Sequence, residues 1–146
     1  MKVINSTPKQ VRLENEDGSK IIINKWKTTQ QISMLPSITK TLGVPFFMVA
    51  TGAGSEEELM EALPKALYLL CEQMEEEDPT TFFNKLFTNV RFQDQPVDID
   101  QHFDDFDDVL VIAAEVLKLN FGKLLSGKGF TAFRQVAVPL AAQQND

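Results

Sequence analysis

Four side-chain types that carry much of enzyme and extracellular chemistry are almost missing from this chain of 146 residues: one cysteine, one histidine, one tryptophan and one tyrosine. A single cysteine, Cys71, rules out an intrachain disulfide and fits a reducing compartment. A single histidine, His102, has no second histidine and no serine beside it in the sequence, so no nucleophile–base arrangement can be assigned. A structural hydrogen-bonding role suits it better. Long apolar runs are missing too, and the longest falls far short of a membrane span. Met1-Lys2-Val3-Ile4-Asn5 passes into polar residues and shows no signal-peptide pattern. These features together predict a soluble intracellular protein, with no membrane role.

Charge is present but unevenly placed. The formal net charge is −7. Residues 1–54 carry +4, residues 55–108 carry −13 and residues 109–146 carry +2. The acidic middle argues against binding a phosphate backbone there, so nucleic acid is not an expected partner. Seven carboxylates, Asp94, Asp98, Asp100, Asp104, Asp105, Asp107 and Asp108, stand before a strongly apolar stretch from Val109 to Leu125. Carboxylates at a helix start cap free N–H groups and complement the macrodipole. Asp98, Asp100, His102 and Asp104 alternate as in a calcium loop. But Phe103 stands where the sharp turn needs glycine, and the twelfth position is Val109 rather than glutamate. Capping is the better reading. Gly52-Ala53-Gly54 has no Gly-Lys-Ser/Thr ending, and three glutamates follow Ser55, which would repel phosphate. No catalytic, cofactor or metal constellation emerges, so the chain is not expected to be an enzyme.

The N-terminal part reads as strands. Val11-Arg12-Leu13 alternates, Ile21-Ile22-Ile23 is β-branched, and Asp17-Gly18 between them is a strong turn signal. A β-hairpin is expected over about residues 10–26, with Trp26 anchoring it to the core. An extra strand or a loose arm precedes it. Ile32, Leu35, Ile38 and Leu42 recur at helical spacing, with Pro36 as a kink and Gly43 as a stop. Ser55-Glu56-Glu57-Glu58 has capping-box spacing. The helix behind it carries Leu59, Leu63, Ala66, Leu67, Leu70, Cys71 and Met74, with Pro64 as a bend. Asp78-Pro79 starts a short helix with Phe82, Phe83, Leu86 and Phe87. Residues 90–99 read as a second small hairpin or an irregular loop. A last helix from about Asp104 to Leu125 places Phe106, Leu110, Ala113, Leu117, Phe121 and Leu124 on one stripe. It is expected to be the most buried helix, with Gly127 and Gly129 ending it.

The fold class expected is therefore mainly α, of the α+β kind: a compact bundle of about four to five helices with an N-terminal hairpin. Residues 1–126 form a single domain, and residues 127–146 form a tail that is flexible or ordered by a partner. Eleven phenylalanines are many for this length. Phe46, Phe47, Met48, Phe130 and Phe133 stand outside the clear helical stripes and are the candidates for contact with a partner or a second copy. Burial in the core is the competing reading of the same residues.

The order of features over about residues 18–126 resembles the tail assembly chaperones of tailed bacteriophages, especially contractile-tailed ones. The matching features are Gly18 to Trp26, the leucine-patterned helix after Thr29, the Glu-rich break and helix from Ser55, and His102-Phe103 to Asp108. Leu117-Lys118-Leu119-Asn120-Phe121-Gly122-Lys123-Leu124-Leu125 looks like that family's closing Asn-Phe helix. The resemblance implies no catalysis and no cofactor. It implies reversible binding of the long helical tape measure protein, which stays soluble until the tail tube forms around it. Contact with the tail tube protein and self-association into a homo-oligomer are further partners it allows. It places the protein in the host cell cytoplasm and outside the mature virion, and such genes often also give a longer frameshifted product. A tail or baseplate structural adaptor and an acidic DNA-mimic inhibitor are the other readings of the same residues.

Overall fold

A computed structural model describes residues 1–50, 56–74 and 78–122, except for the side chains of residues 39, 42–50, 56, 59 and 60. Three strands open the chain: β1 (Lys2–Ser6), β2 (Gln10–Glu14) and β3 (Lys20–Asn24). The β2–β3 turn forms where Asp17-Gly18 predicts it. The Gly18 N–H donates to Asn15 O at 3.0 Å and the Asn15 N–H to Ser19 O at 2.8 Å. The Ser19 N–H donates to Asp17 Oδ1 at 2.9 Å. Gly18 sits at φ +87°, a conformation that costs little without a Cβ.

Helices follow: α1 (Thr28–Ala50), α2 (Glu56–Glu61), α3 (Leu63–Gln73) and α4 (Pro79–Leu86), which passes through a 3-10 turn at Phe87–Asn89. The chain then returns to the sheet through β4 (Val90–Phe92) and β5 (Gln95–Pro96), and ends its described part with α5 (Ile99–His102) and α6 (Phe106–Phe121). All strand pairs are antiparallel and their order is β1-β2-β3-β4-β5.

This corrects the expectation of a mainly helical bundle with one hairpin. The hairpin over residues 10–26 is there, but it is the centre of a five-stranded sheet. β4 pairs with β3 in the register Ile21↔Phe92, Ile22↔Arg91 and Ile23↔Val90. Such long-range pairing leaves no local periodicity to read. β1 is exposed along its whole length, so it shows no buried alternation either.

The register explains the core. Val11, Ile23 and Val90 form one cross-strand row, and Leu13, Ile21 and Phe92 form the next. These face the helices, while Arg12, Ile22 and Arg91 face outward, since side chains alternate along strands. Leu13, Ile21 and Ile23 are completely buried. Each such side chain contributes about 1.5–3 kcal/mol through removal from water. α6 packs on β2, α3 and α4, and α1 packs on α3. α6 buries Val109, Leu110, Ile112, Ala113, Ala114, Val116, Leu117 and Phe121, as expected of the most enclosed helix.

α1 continues through both Pro36 and Gly43, which the sequence reads as a kink and a stop. Proline removes the hydrogen bond to the carbonyl four residues earlier, here Ile32. Ile32 and Pro36 are both exposed, so water can satisfy that carbonyl and the helix continues. Pro64 does divide its helix, leaving α2 and α3 meeting at Ala62. Pro64 itself stands in the first turn of α3, where no N–H is needed. Asp78 caps α4 by accepting the Thr80 N–H at 3.1 Å. Phe82, Phe83, Leu86 and Phe87 are buried. Ser55, Gly127, Gly129 and the expected tail at 127–146 lie outside the described residues.

Candidate partner-binding surface

Asn120, in the last turn of α6, ties three parts of the chain together. Its Oδ1 accepts the backbone N–H of Trp26 at 2.8 Å and the Gln31 Nε2–H at 3.2 Å. Its Nδ2 donates to Val116 O at 2.9 Å, which fixes the amide along the helix. The β3–α1 connection is thereby fastened to α6. Trp26 is buried and its ring meets Phe121 edge-on, with centroids 5.7 Å apart at 75°. The Trp26 Nε1–H finds no acceptor among the described residues.

Beside this junction lies a groove of about 870 Å³, open to solvent. Its floor and walls come from Pro8, Val11, Leu35, Leu119, Phe121 and Ile32. Ile32 is 67% exposed, the highest value among the large apolar side chains described. By spacing it shares a stripe of α1 with Leu35 and Ile38. Burial instead rises along the helix, from exposed Ile32 through half-buried Leu35 to buried Ile38. Lys25, Glu115 and Lys118 stand at the groove. Lys118 and Glu115, both half-buried, are 3.5 Å apart one helical turn along α6. An apolar trough with charged groups at its side can take the apolar face of a helix.

Two carboxylates of the acidic segment before α6 act as caps. Asp98 Oδ1 accepts the Gln101 N–H at 3.1 Å, and Asp105 Oδ1 accepts the Asp107 N–H at 3.0 Å. His102 has the structural role expected of it. Its Nδ1 accepts the Asp98 N–H at 3.0 Å, and its ring stacks on Phe92 at 4.3 Å and 9°. Burial pushes the Asp108 carboxyl above its ordinary value, and Asp105, Glu16 and Asp107 push the same way against the N-terminal amine. Cys71 is half-buried against the core, and burial raises its thiol pKa. Among the described residues no group of three or more His, Cys, Asp or Glu is placed to hold a metal ion. None of the described helices is long and apolar enough to cross a membrane.

Phe46, Phe47 and Met48 belong to the last turns of α1, and their side chains lie outside the described residues, as do Phe130 and Phe133 altogether. Two exposed residues that spacing alone does not single out are Ile32 and Phe106. Both sit on helical stripes by spacing, yet both are exposed. Periodicity ranks faces of a helix and cannot say where along its length the neighbouring layer stops.

A family model described as phage tail assembly chaperone protein, TAC, matches residues 17–131. The match starts in the β2–β3 turn and takes in every described element from β3 to α6. No curated protein and no solved structure matches the chain.

Proposed function

Because the chain belongs to the phage tail assembly chaperone family, we propose that it binds the tape measure protein and keeps it soluble while the tail tube assembles. Family membership carries the coarser role, tail assembly chaperone. The finer reading rests on the groove between α1 and α6, where an apolar surface stays open to solvent with Ile32 largely uncovered. A long helical client with an unpartnered apolar stripe aggregates through that stripe, and a chaperone must cover it reversibly. The acidic surface of residues 55–108 keeps the complex soluble by self-repulsion. The role is binding and release without catalysis. It is performed in the host cytoplasm, and the protein leaves before the particle is complete. The tail tube protein and a second copy of the chain are secondary partners in this reading.

Co-expression with the tape measure protein of the same genome tests it, followed by pull-down and light scattering. A soluble complex, with the tape measure insoluble on its own, is the expected result. Ile32→Asp should weaken the complex while leaving the free chain folded. A tape measure protein that stays insoluble with the chain present would reject the proposal. So would finding the chain in purified virions.

A further inference from the structure

Large exposed apolar side chains among the described residues fall in three places: Val3 and Ile4 on the edge strand β1, Ile32 in the groove, and the pair Tyr68 and Phe106. The third place is not part of the groove. Tyr68, midway along α3, is 47% exposed, and Phe106, the first residue of α6, is 44% exposed. Their ring centroids are 6.4 Å apart at 56°. Phe106 also meets the buried Phe83 edge-on at 6.5 Å and 80°, and Phe83 stacks on the buried Phe87 at 6.1 Å. The exposed pair is therefore the outer end of an aromatic row rooted in the core. Asp105 caps α6 immediately before Phe106 and fixes the backbone that presents its ring. Rigid aromatic anchors lose little conformational freedom on binding, which is why such rings dominate interface energies.

The charge beside the pair is mainly negative. Asp104, Asp105 and Asp107 flank Phe106 in the chain and are all exposed. Glu72, one helical turn beyond Tyr68 on α3, takes a hydrogen bond from the Tyr68 hydroxyl and holds the phenol above its ordinary pKa. Lys65, nearly a turn earlier on α3, is the one cation in these stretches of chain.

We propose that Tyr68 and Phe106 form a docking site for a basic amphipathic helix of a tail protein, whose apolar side covers the two rings while its lysines and arginines face Glu72, Asp104, Asp105 and Asp107. The proposal rests on the chaperone reading and specifies the chemistry of the segment recognised. It also sets this surface at the opposite end of α6 from the groove. Along α6, Phe106 precedes Glu115 and Lys118 of the groove by about 14 and 18 Å at 1.5 Å per residue. A single client can then be held at two points, and each contact alone can be weak enough to release.

The test uses the full chain and two labelled synthetic helices of equal length, one leucine–lysine and one leucine–glutamate, read by fluorescence anisotropy. The leucine–lysine helix is expected to bind, with affinity falling as salt rises, and the leucine–glutamate helix at least about tenfold more weakly. Tyr68→Ala and Phe106→Ser should each weaken the leucine–lysine helix by about tenfold or more, the loss expected of an anchor. Glu72→Gln with Asp107→Asn should weaken it and flatten the salt dependence. Glu14→Gln with Glu57→Gln removes equal charge from the sheet and from α2 and should change it less than about twofold. Phe106 also touches the core, so circular dichroism checks each fold, and Tyr68→Ala decides if Phe106→Ser unfolds the chain. Equal weakening by the two charge-matched pairs would overturn the site in favour of general attraction to an acidic protein. Unchanged binding in Tyr68→Ala would overturn it as well. A chain that solubilises the tape measure protein with both rings removed overturns the docking site alone and leaves the chaperone reading in place.

Discussion

The backbone N–H of Trp26 donates to the side-chain oxygen of Asn120 at 2.8 Å, across 94 residues of chain. This bond joins the end of the sheet to the end of α6, at one side of the groove. Its donor has no strand partner, because Trp26 lies past the last residue of β3. Asn120 therefore does for the strand end what the next ladder bond would otherwise do.

Removing that acceptor should cost stability and disturb the groove together. Asn120→Ala leaves the Trp26 N–H without its partner and also releases Gln31. A loss of about 1–3 kcal/mol is expected, the cost of an unsatisfied buried donor. Chemical denaturation followed by the fluorescence of Trp26, the chain's sole tryptophan, reads it directly. An unchanged midpoint would mean that water replaces the amide without loss.

Gly18→Ala tests whether the hairpin turn depends on backbone freedom alone. A Cβ there would meet nothing within 4 Å, so sterics with neighbours do not enter. The φ of +87° still disfavours any side chain, and a cost of about 1–2 kcal/mol is expected. A thermal shift within error of wild type would show that the turn relaxes to another type.

Two aspartates should respond to pH in opposite directions. Hydrogen bonds from the Ser19 backbone and hydroxyl hold the Asp17 carboxyl below its ordinary value of 3.8. Its stabilising contribution is present above that value and is lost as pH falls through the lower folded-state pKa. Asp108 is raised, chiefly by burial. Its folded form keeps the proton longer, so stability falls as pH rises from 3.8 through the raised value. At neutral pH Asp17→Asn should lower the melting temperature and Asp108→Asn should raise it, and both differences should fade in acid. Shifts of the same sign at pH 7 would contradict this assignment.

Two isoleucines on helices should differ sharply. Ile112 in α6 is completely buried, and Ile112→Ala is expected to cost about 2–5 kcal/mol. Ile32, 67% exposed, should lose no more than about 0.5 kcal/mol as Ile32→Ser. Urea midpoints of the two variants compare them, and a large loss at Ile32 would place it in the core rather than at an open surface.

Where the signal is local, the sequence is readable. Asp17-Gly18 marks its turn, Asp78-Pro79 its helix start, and the apolar spacing of α6 its burial. Trp26 is an anchor and His102 is structural, as their isolation suggests. The family, too, is legible from short motifs within residues 17–131. What is hidden depends on distant partners. Val90-Arg91-Phe92 reads locally as one arm of a small hairpin, which it forms with Gln95-Pro96, but its pairing with Ile21 to Ile23 has no local signal. Pro36 is harmless only because the Ile32 turn faces water. Phe106 shares the spacing of a core stripe, yet it is 44% exposed and meets the half-exposed Tyr68 ring of α3.

The pairing of β3 with β4 sets the order in which a nascent chain can finish its core. Lys20 receives the backbone N–H of Gln93 on its carbonyl at 2.9 Å, and these residues are 73 apart. At roughly 5–20 residues per second, the ribosome delivers β4 several seconds after β3. For that interval Ile21 and Ile23 have no strand on one side and no α6 above them. A member of the tail assembly chaperone family thus spends the start of its own life with an open β-edge, until its last described helix has been made.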